Sequence, residues 1–140
     1  MSGLYLIILE NSLKTQIQAR ALDMAKTLAH MPSVQKAFET NDPSRTLQPI
    51  AENARKQSGA QYIVIGSADA IRYAHPDPGK IGKPMVGGDN RRALEKGEAY
   101  VSEAVGTLGP AIMGKAPIHN ENGEIVGIIW VGFLIENIQD

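Results

Sequence analysis

Arg72-Tyr73-Ala74-His75 and Gly106-Thr107-Leu108-Gly109 are the two short runs whose residue types could hold an anion. A guanidinium offers a planar fork of N–H donors that matches a carboxylate, and an imidazole adds a donor beside it. On a regular strand, residues three apart point to opposite faces. Arg72 and His75 therefore converge only if the chain bends at His75, and the following Pro76 favours such a bend. In the second run, a glycine-rich turn leaves backbone N–H groups free to cradle an anion. Thr107 adds a hydroxyl, and Lys115 follows a few residues on. Each run also has a plain reading: a surface arginine beside a loop histidine, and an ordinary hairpin loop with a solvated lysine. The residues by themselves favour the plain reading in both cases.

Other chemistry finds little support. Gly79-Lys80-Ile81-Gly82-Lys83-Pro84 lacks the spacing and the Ser/Thr of a phosphate-binding P-loop. His30, His75 and His119 are far apart and show no metal-ligand spacing. No serine sits in a G-x-S-x-G setting, and the acidic residues are scattered singly. The absence of cysteine removes disulfides, thiolate catalysis and Cys-ligated zinc. A net charge of −1 gives no basic field for a phosphate backbone, so nucleic acid is not an expected partner. The expectation is a binding module without cofactor, metal or catalytic residue.

With 140 residues, 43% apolar and 21% charged, the chain has the profile of one globular domain. Leu4 to Leu9 is nearly all apolar but only six residues long; a spanning helix needs about 20. It reads as the trailing end of a truncated transmembrane helix or the first turn of a soluble one, and no signal-peptide pattern precedes it.

The elements that must position the two runs follow from periodicity. Leu13, Ile17, Ala21, Leu22, Ala25 and Leu28 predict an amphipathic helix over roughly residues 5–30, interrupted by Pro32. A short helix over 33–40 follows. Asp42 is expected to cap the next helix with Pro43 in its first position, and Pro49 to start a new turn or kink it. From Ser58-Gly59 the texture changes to strands: 62–65, a turn over 66–69, and a return strand over 71–75. An irregular loop runs to Gly88, and Asp89 can cap a short helix carrying Ala93 and Leu94, ended at Gly97. Strands are expected over 98–105 and 111–118. Asn122-Gly123 signals a two-residue hairpin, and 124–133, apolar on both faces, predicts a central strand. Helices first and five strands after them make an α+β domain.

In order and spacing, a set of blocks resembles a known family. They are Arg72-Tyr73-Ala74-His75-Pro76-Asp77, Ile81-Gly82-Lys83-Pro84-Met85, Gly87-Gly88-Asp89, Tyr100-Val101-Ser102, Gly106-Thr107-Leu108-Gly109, Gly114-Lys115-Ala116-Pro117-Ile118 and Gly127-Ile128-Ile129-Trp130-Val131-Gly132. The resemblance is to the extracytoplasmic PAS-like (PDC/sCache) sensor domain of the CitA/DcuS family of citrate and C4-dicarboxylate sensor histidine kinases. It is strong from Gln61 to Asn137 and weaker around Gln18 to Phe38. It implies a five-stranded antiparallel sheet with a long N-terminal helix packed on it, in a single extracytoplasmic sensor domain over 1–140. Residues 1–57 would form its helical part, and 58–135 its sheet and pocket. It implies a small organic carboxylate as ligand, a membrane-anchored full-length receptor, and a homodimer through the N-terminal helix. Residue by residue, it makes Arg72 and His75 carboxylate-binding, Gly106, Thr107 and Leu108 a second carboxylate loop, and Lys115 a pocket lysine. The functional reading of Arg72 and His75 becomes the better one.

Three positions depart from the family pattern. Met113 stands where the relatives carry a second arginine, Val64 where citrate sensors carry a threonine, and Trp130 where they carry a serine. A lost charge-assisted hydrogen bond, roughly 1.5–3 kcal/mol, corresponds to about ten- to a hundredfold in affinity. A tryptophan also fills volume a third carboxylate needs, unless it points to the sheet's other face as core. The departures predict a dicarboxylate such as malate or succinate in preference to citrate, with a still smaller monocarboxylate as the alternative. The competing readings are the ectodomain of another receptor class such as a chemoreceptor, a small α+β enzyme using His75 and Lys115, and a dimerisation domain without ligand.

Overall fold

Ala21, Ala25 and Ala29 recur every four residues along the first helix, α1 (Gly3–Ala29), and all three are buried. Ile17, Met24 and Leu28 flank them, partly buried against the same core. The inward stripe is thus made of small side chains, which lets the helix axis lie close to whatever it covers. The structure, a computed structural model, describes residues 3–86, 89–106 and 108–135. Among these, no helix is long and apolar enough to cross a membrane.

Pro32 does not merely end α1; it opens α2 (Pro32–Ala37), because a first-turn residue needs no N–H donor. Pro43 opens α3 (Pro43–Ser58) in the same way. Asp42 occupies the cap position, but its side chain makes no capping bond. Its backbone carbonyl instead accepts from the Arg45 N–H at 3.2 Å. Pro49, expected to start a new turn or kink the helix, lies inside an unbroken α3. The lost hydrogen bond is tolerated because Leu47 and Ala51, on either side, are fully buried.

Five antiparallel strands follow: β1 (Tyr62–Ser67), β2 (Arg72–Ala74), β3 (Tyr100–Gly106), β4 (Gly109–His119) and β5 (Ile125–Leu134), in the order β2-β1-β5-β4-β3. The apolar β5 is central, as its pattern predicts. A 3-10 turn (Pro78–Lys80) and α4 (Arg91–Leu94) lie in the long connection between β2 and β3. The β4–β5 connection is not the two-residue hairpin that Asn122-Gly123 suggests. It spans 120–124, closed by the Asn120 N–H donating to the Glu124 carbonyl at 2.9 Å. The Asn120 side-chain oxygen accepts from the N–H groups of Asn122 and Glu124 at 2.9 and 3.0 Å. One asparagine side chain thereby organises a wider turn.

The sheet has two apolar faces. Ile63, Ile65, Ala74, Ala116, Ile118, Ile129, Val131 and Phe133 join the helices α1 to α3 in the main core. Tyr62, Val64, Tyr100, Ala111, Met113, Ile128 and Trp130 form a second cluster with Ala93 of α4 on the other face. Where α1 crosses β4, a Cβ on Gly114 would stand 2.3 Å from the backbone of Ala21. Backbone cannot swing aside as a side chain can. Gly114→Ala is therefore expected to cost the upper end of the roughly 1–3 kcal/mol of overpacking, lowering the thermal midpoint by about 10 °C. An unchanged melting curve would mean that α1 does not sit on β4 this closely.

Candidate ligand-binding site

Arg72 and His75 reach one face of the sheet through a register shift. Arg72 pairs with Gly66 but Ala74 pairs with Ile65, so one extra residue, Tyr73, is accommodated on β2. Ala74 joins the main core and Tyr73 packs beside it, edge-on to Phe38 at 5.6 Å. The bulge restores His75 to the face that carries Arg72, Tyr62 and Val64. The bend required for convergence thus lies two residues earlier than Pro76 suggests.

His75 is held from three sides. The Gln48 amide donates to its carbonyl at 2.8 Å, and the His75 N–H donates back to the Gln48 oxygen at 2.9 Å. The Asp77 N–H donates to Nδ1 at 2.9 Å, which assigns the proton of the neutral ring to Nε2. Burial, and then the charge of Arg72, push the imidazole below its ordinary pKa. The ring stands edge-on to Tyr62 at 6.3 Å. Arg72 is 3% exposed. Its backbone is clamped by the following loop, with its N–H donating to the Lys83 carbonyl and its carbonyl accepting from the Gly82 N–H. Burial disfavours its charge, yet a guanidinium stays protonated.

Lys115 is fully buried on the same face, on β4, the strand between central β5 and the edge strand β3. Across the ladder it pairs with Tyr100 on one side and Trp130 on the other. Its ammonium lies 4.3 Å from the Trp130 ring and 6.0 Å from that of Tyr100, within cation–π range. Desolvation pulls its pKa down to about 8, with Asp89 partly opposing. The oxygen of Asn90 receives both the Trp130 indole N–H at 3.0 Å and the Lys115 ammonium at 3.4 Å. Among the described residues, neither Arg72 nor Lys115 forms an ion pair with a carboxylate.

Trp130 therefore faces this site and not the helix layer, beside Val64, its ladder partner on β1. Met113 pairs with Gly132 and Ser102, and its sulfur occupies the space that a Cβ on Gly132 would need. It lies along the sheet and offers no donor. Gly106 ends β3 opposite Gly109, the first residue of β4. Thr107 lies outside the described residues, as do Gly87 and Gly88. The Leu108 N–H donates to the Tyr62 hydroxyl oxygen, and its side chain is exposed. A cleft of about 280 Å³ is lined by His75, Pro76, Asp77, Lys80 and Leu108.

Asn90, Tyr62, Tyr100, Gln48 and Ser102 were not legible as parts of this site. Ser102 is on the same face, as the ladder partner of Met113. Its hydroxyl oxygen is buried with no hydrogen-bond partner among the described residues. The signal available for Tyr62, Tyr100 and Ser102 was strand parity: each shares a face with Lys115 once the register is known. Among the described residues, no group of three His, Asp or Glu side chains could hold a metal.

Residues 9–140 match the single cache domain 3 family, sCache_3_2. The sensor protein CitS of Halalkalibacterium halodurans is 53% identical over 128 residues, 91% of this chain and 24% of that protein. The sensor histidine kinase CitA of Klebsiella pneumoniae is 37% identical over 133 residues, 95% of this chain and 24% of that one. The chain thus spans about a quarter of the length of the curated relatives it matches. Among solved structures, the E. coli DcuS sensor domain superposes with a TM-score of 0.85 at 30% identity, covering 91% of this chain and 96% of that one.

The buried lysine has a measurable signature. Its folded pKa is below that of an exposed lysine, so above pH 8 the unfolded chain binds more protons, and stability rises with pH up to about 10.5. Lys115→Met, similar in length and apolar, is expected to raise the midpoint of the ligand-free domain at pH 7 and abolish that rise. Melting curves between pH 7 and pH 10.5 test it; a variant with an unaltered pH profile would remove Lys115 as its source.

Proposed function

The chain belongs to the single cache domain 3 family, and we propose that it is the extracytoplasmic ligand-binding domain of a membrane sensor histidine kinase that reports a small organic carboxylate. One observation carries the proposal: two buried cations, Arg72 and Lys115, share a sheet face with no carboxylate paired to either among the described residues. Burying an uncompensated charge is costly, and an anionic ligand offsets that cost. Two poles, Arg72 with His75 and Lys115 with Asn90, suit an acid with at least two carboxylates. The domain binds this acid and does not transform it. Gly106, Thr107 and Leu108 supply the second carboxylate contact, with the Leu108 N–H exchanging Tyr62 for a carboxylate oxygen.

Donor count favours a C4 dicarboxylate such as malate or succinate over citrate, since Met113 contributes none. Trp130 no longer adds to that preference. Its indole is folded against Lys115 and donates its N–H to the Asn90 side-chain oxygen. Signal leaves through β5, which carries Trp130 on the ligand side and Phe133 on the helix side and ends at Leu134. Ligand shifts the domain between two states only by its difference in affinity for them. The domain pairs with a second copy through α1, whose Leu4, Leu6 and Leu13 are exposed.

Calorimetric titration with malate, succinate and citrate tests the reading. At least one is expected to bind, and Arg72→Ala is expected to weaken it by about ten- to a hundredfold while the melting curve stays two-state. Binding of citrate in preference to the others would keep the site and overturn the donor count. Equal affinity in Arg72→Ala would overturn the site.

A further inference from the structure

We infer that Asn90 is itself a ligand-binding residue, a carboxamide donor whose orientation is fixed by Trp130. The inference rests on the carboxylate reading of the site. A side-chain amide can face either way, and its direction is set by its partners. Here the partners leave no choice. An indole N–H only donates, an ammonium only donates, and both lie against the same oxygen, Oδ1 of Asn90, at 3.0 and 3.4 Å. The amide nitrogen is therefore turned away from both. Among the described residues Nδ2 donates to no protein acceptor.

The backbone at this position is equally determined. The Tyr100 hydroxyl donates to the Asp89 carbonyl at 2.6 Å, and the Asn90 carbonyl accepts from the Leu94 N–H at 2.9 Å. The Asp89 carboxylate, held down to about 2 by the Arg91 guanidinium, receives the Arg91 N–H at 2.8 Å. Asn90 is thus presented beside Lys115 by groups on β3, β5 and α4 together. A carboxylate paired with the Lys115 ammonium meets the Asn90 Nδ2 as its next donor. Met113, flat over Gly132, supplies none. Trp130 is then a positioning residue: it does not reach the ligand but holds the amide that does.

Titrations of Asn90→Ala, Trp130→Phe and the double variant with malate, succinate and citrate test this. For whichever acid binds the wild type, each single change is expected to weaken binding by about tenfold or more. The double variant is expected to lose no more than Asn90→Ala alone, since the indole acts only through the amide. Trp130 is the sole tryptophan, so emission of the ligand-free domain is expected to change in Asn90→Ala, where the indole loses its acceptor. Additive losses, tighter binding by Asn90→Ala, or an unaltered emission would each overturn the assignment. If the wild type binds none of the three acids, the carboxylate reading falls and this inference with it. If the wild type binds and Asn90→Ala binds equally, only the inference falls.

Discussion

The ammonium of Lys115 is a charge that the fold removes from water without pairing it, among the described residues, to a carboxylate. Much of the second sheet face is arranged around that fact. Two aromatic rings flank the ammonium, a carboxamide oxygen approaches it, and its proton is already loosened by desolvation. None of these equals a carboxylate in strength, and a buried cation with only such partners is stabilised in part. Arg72, on the far side of the same face, repeats the situation with a group that cannot neutralise itself. The two cations sit on strands separated by β1 and β5, so one rigid sheet sets the spacing between them.

That sheet can serve as a gauge because its other face is anchored. The alanine stripe of α1 and the bare Cα of Gly114 bring helix and strand into backbone contact, leaving little room for sliding. On the ligand side, residues alternate with those in the main core, strand by strand. Trp130 lies between Ile129 and Val131, and Lys115 between Gly114 and Ala116, so each site residue is braced by neighbours packed against the helices.

Sequence made the class of fold plain because its signals are local: 3.6-residue spacing up to Ser58, alternation and turn residues after it. The central place of β5 followed from apolarity on both faces. What escaped were features decided by partners remote in the chain. Pro49 reads as a helix breaker until Leu47 and Ala51 are seen to be buried. Asn122-Gly123 reads as a two-residue turn until Asn120 takes over its hydrogen bonds. Arg72 and His75 share a face because Tyr73 is absorbed as a bulge, and nothing in the tetrapeptide announces which residue will be extra. The resemblance named Arg72, His75 and Lys115 as site residues. Asn90 it could not name, because an asparagine before a short helix is ordinary until a tryptophan forty residues away aims at it.

The paired hydrogen bonds between Gln48 and the backbone of His75 bear on the route by which a ligand arrives. They stitch the wall of the site to α3, so parting the chain at His75 from the helix layer means breaking both at once. The loop over 82–84 closes the outer edge of β2 in the same manner. Entry beneath β2 is thereby barred without partial unfolding. The open cleft lies at the rim, between the 3-10 turn at Pro78–Lys80 and Leu108, where the Leu108 N–H is fastened to the Tyr62 hydroxyl oxygen. On the proposed function, the residence time of a bound acid would then follow the opening of that rim more than the stability of the helix layer.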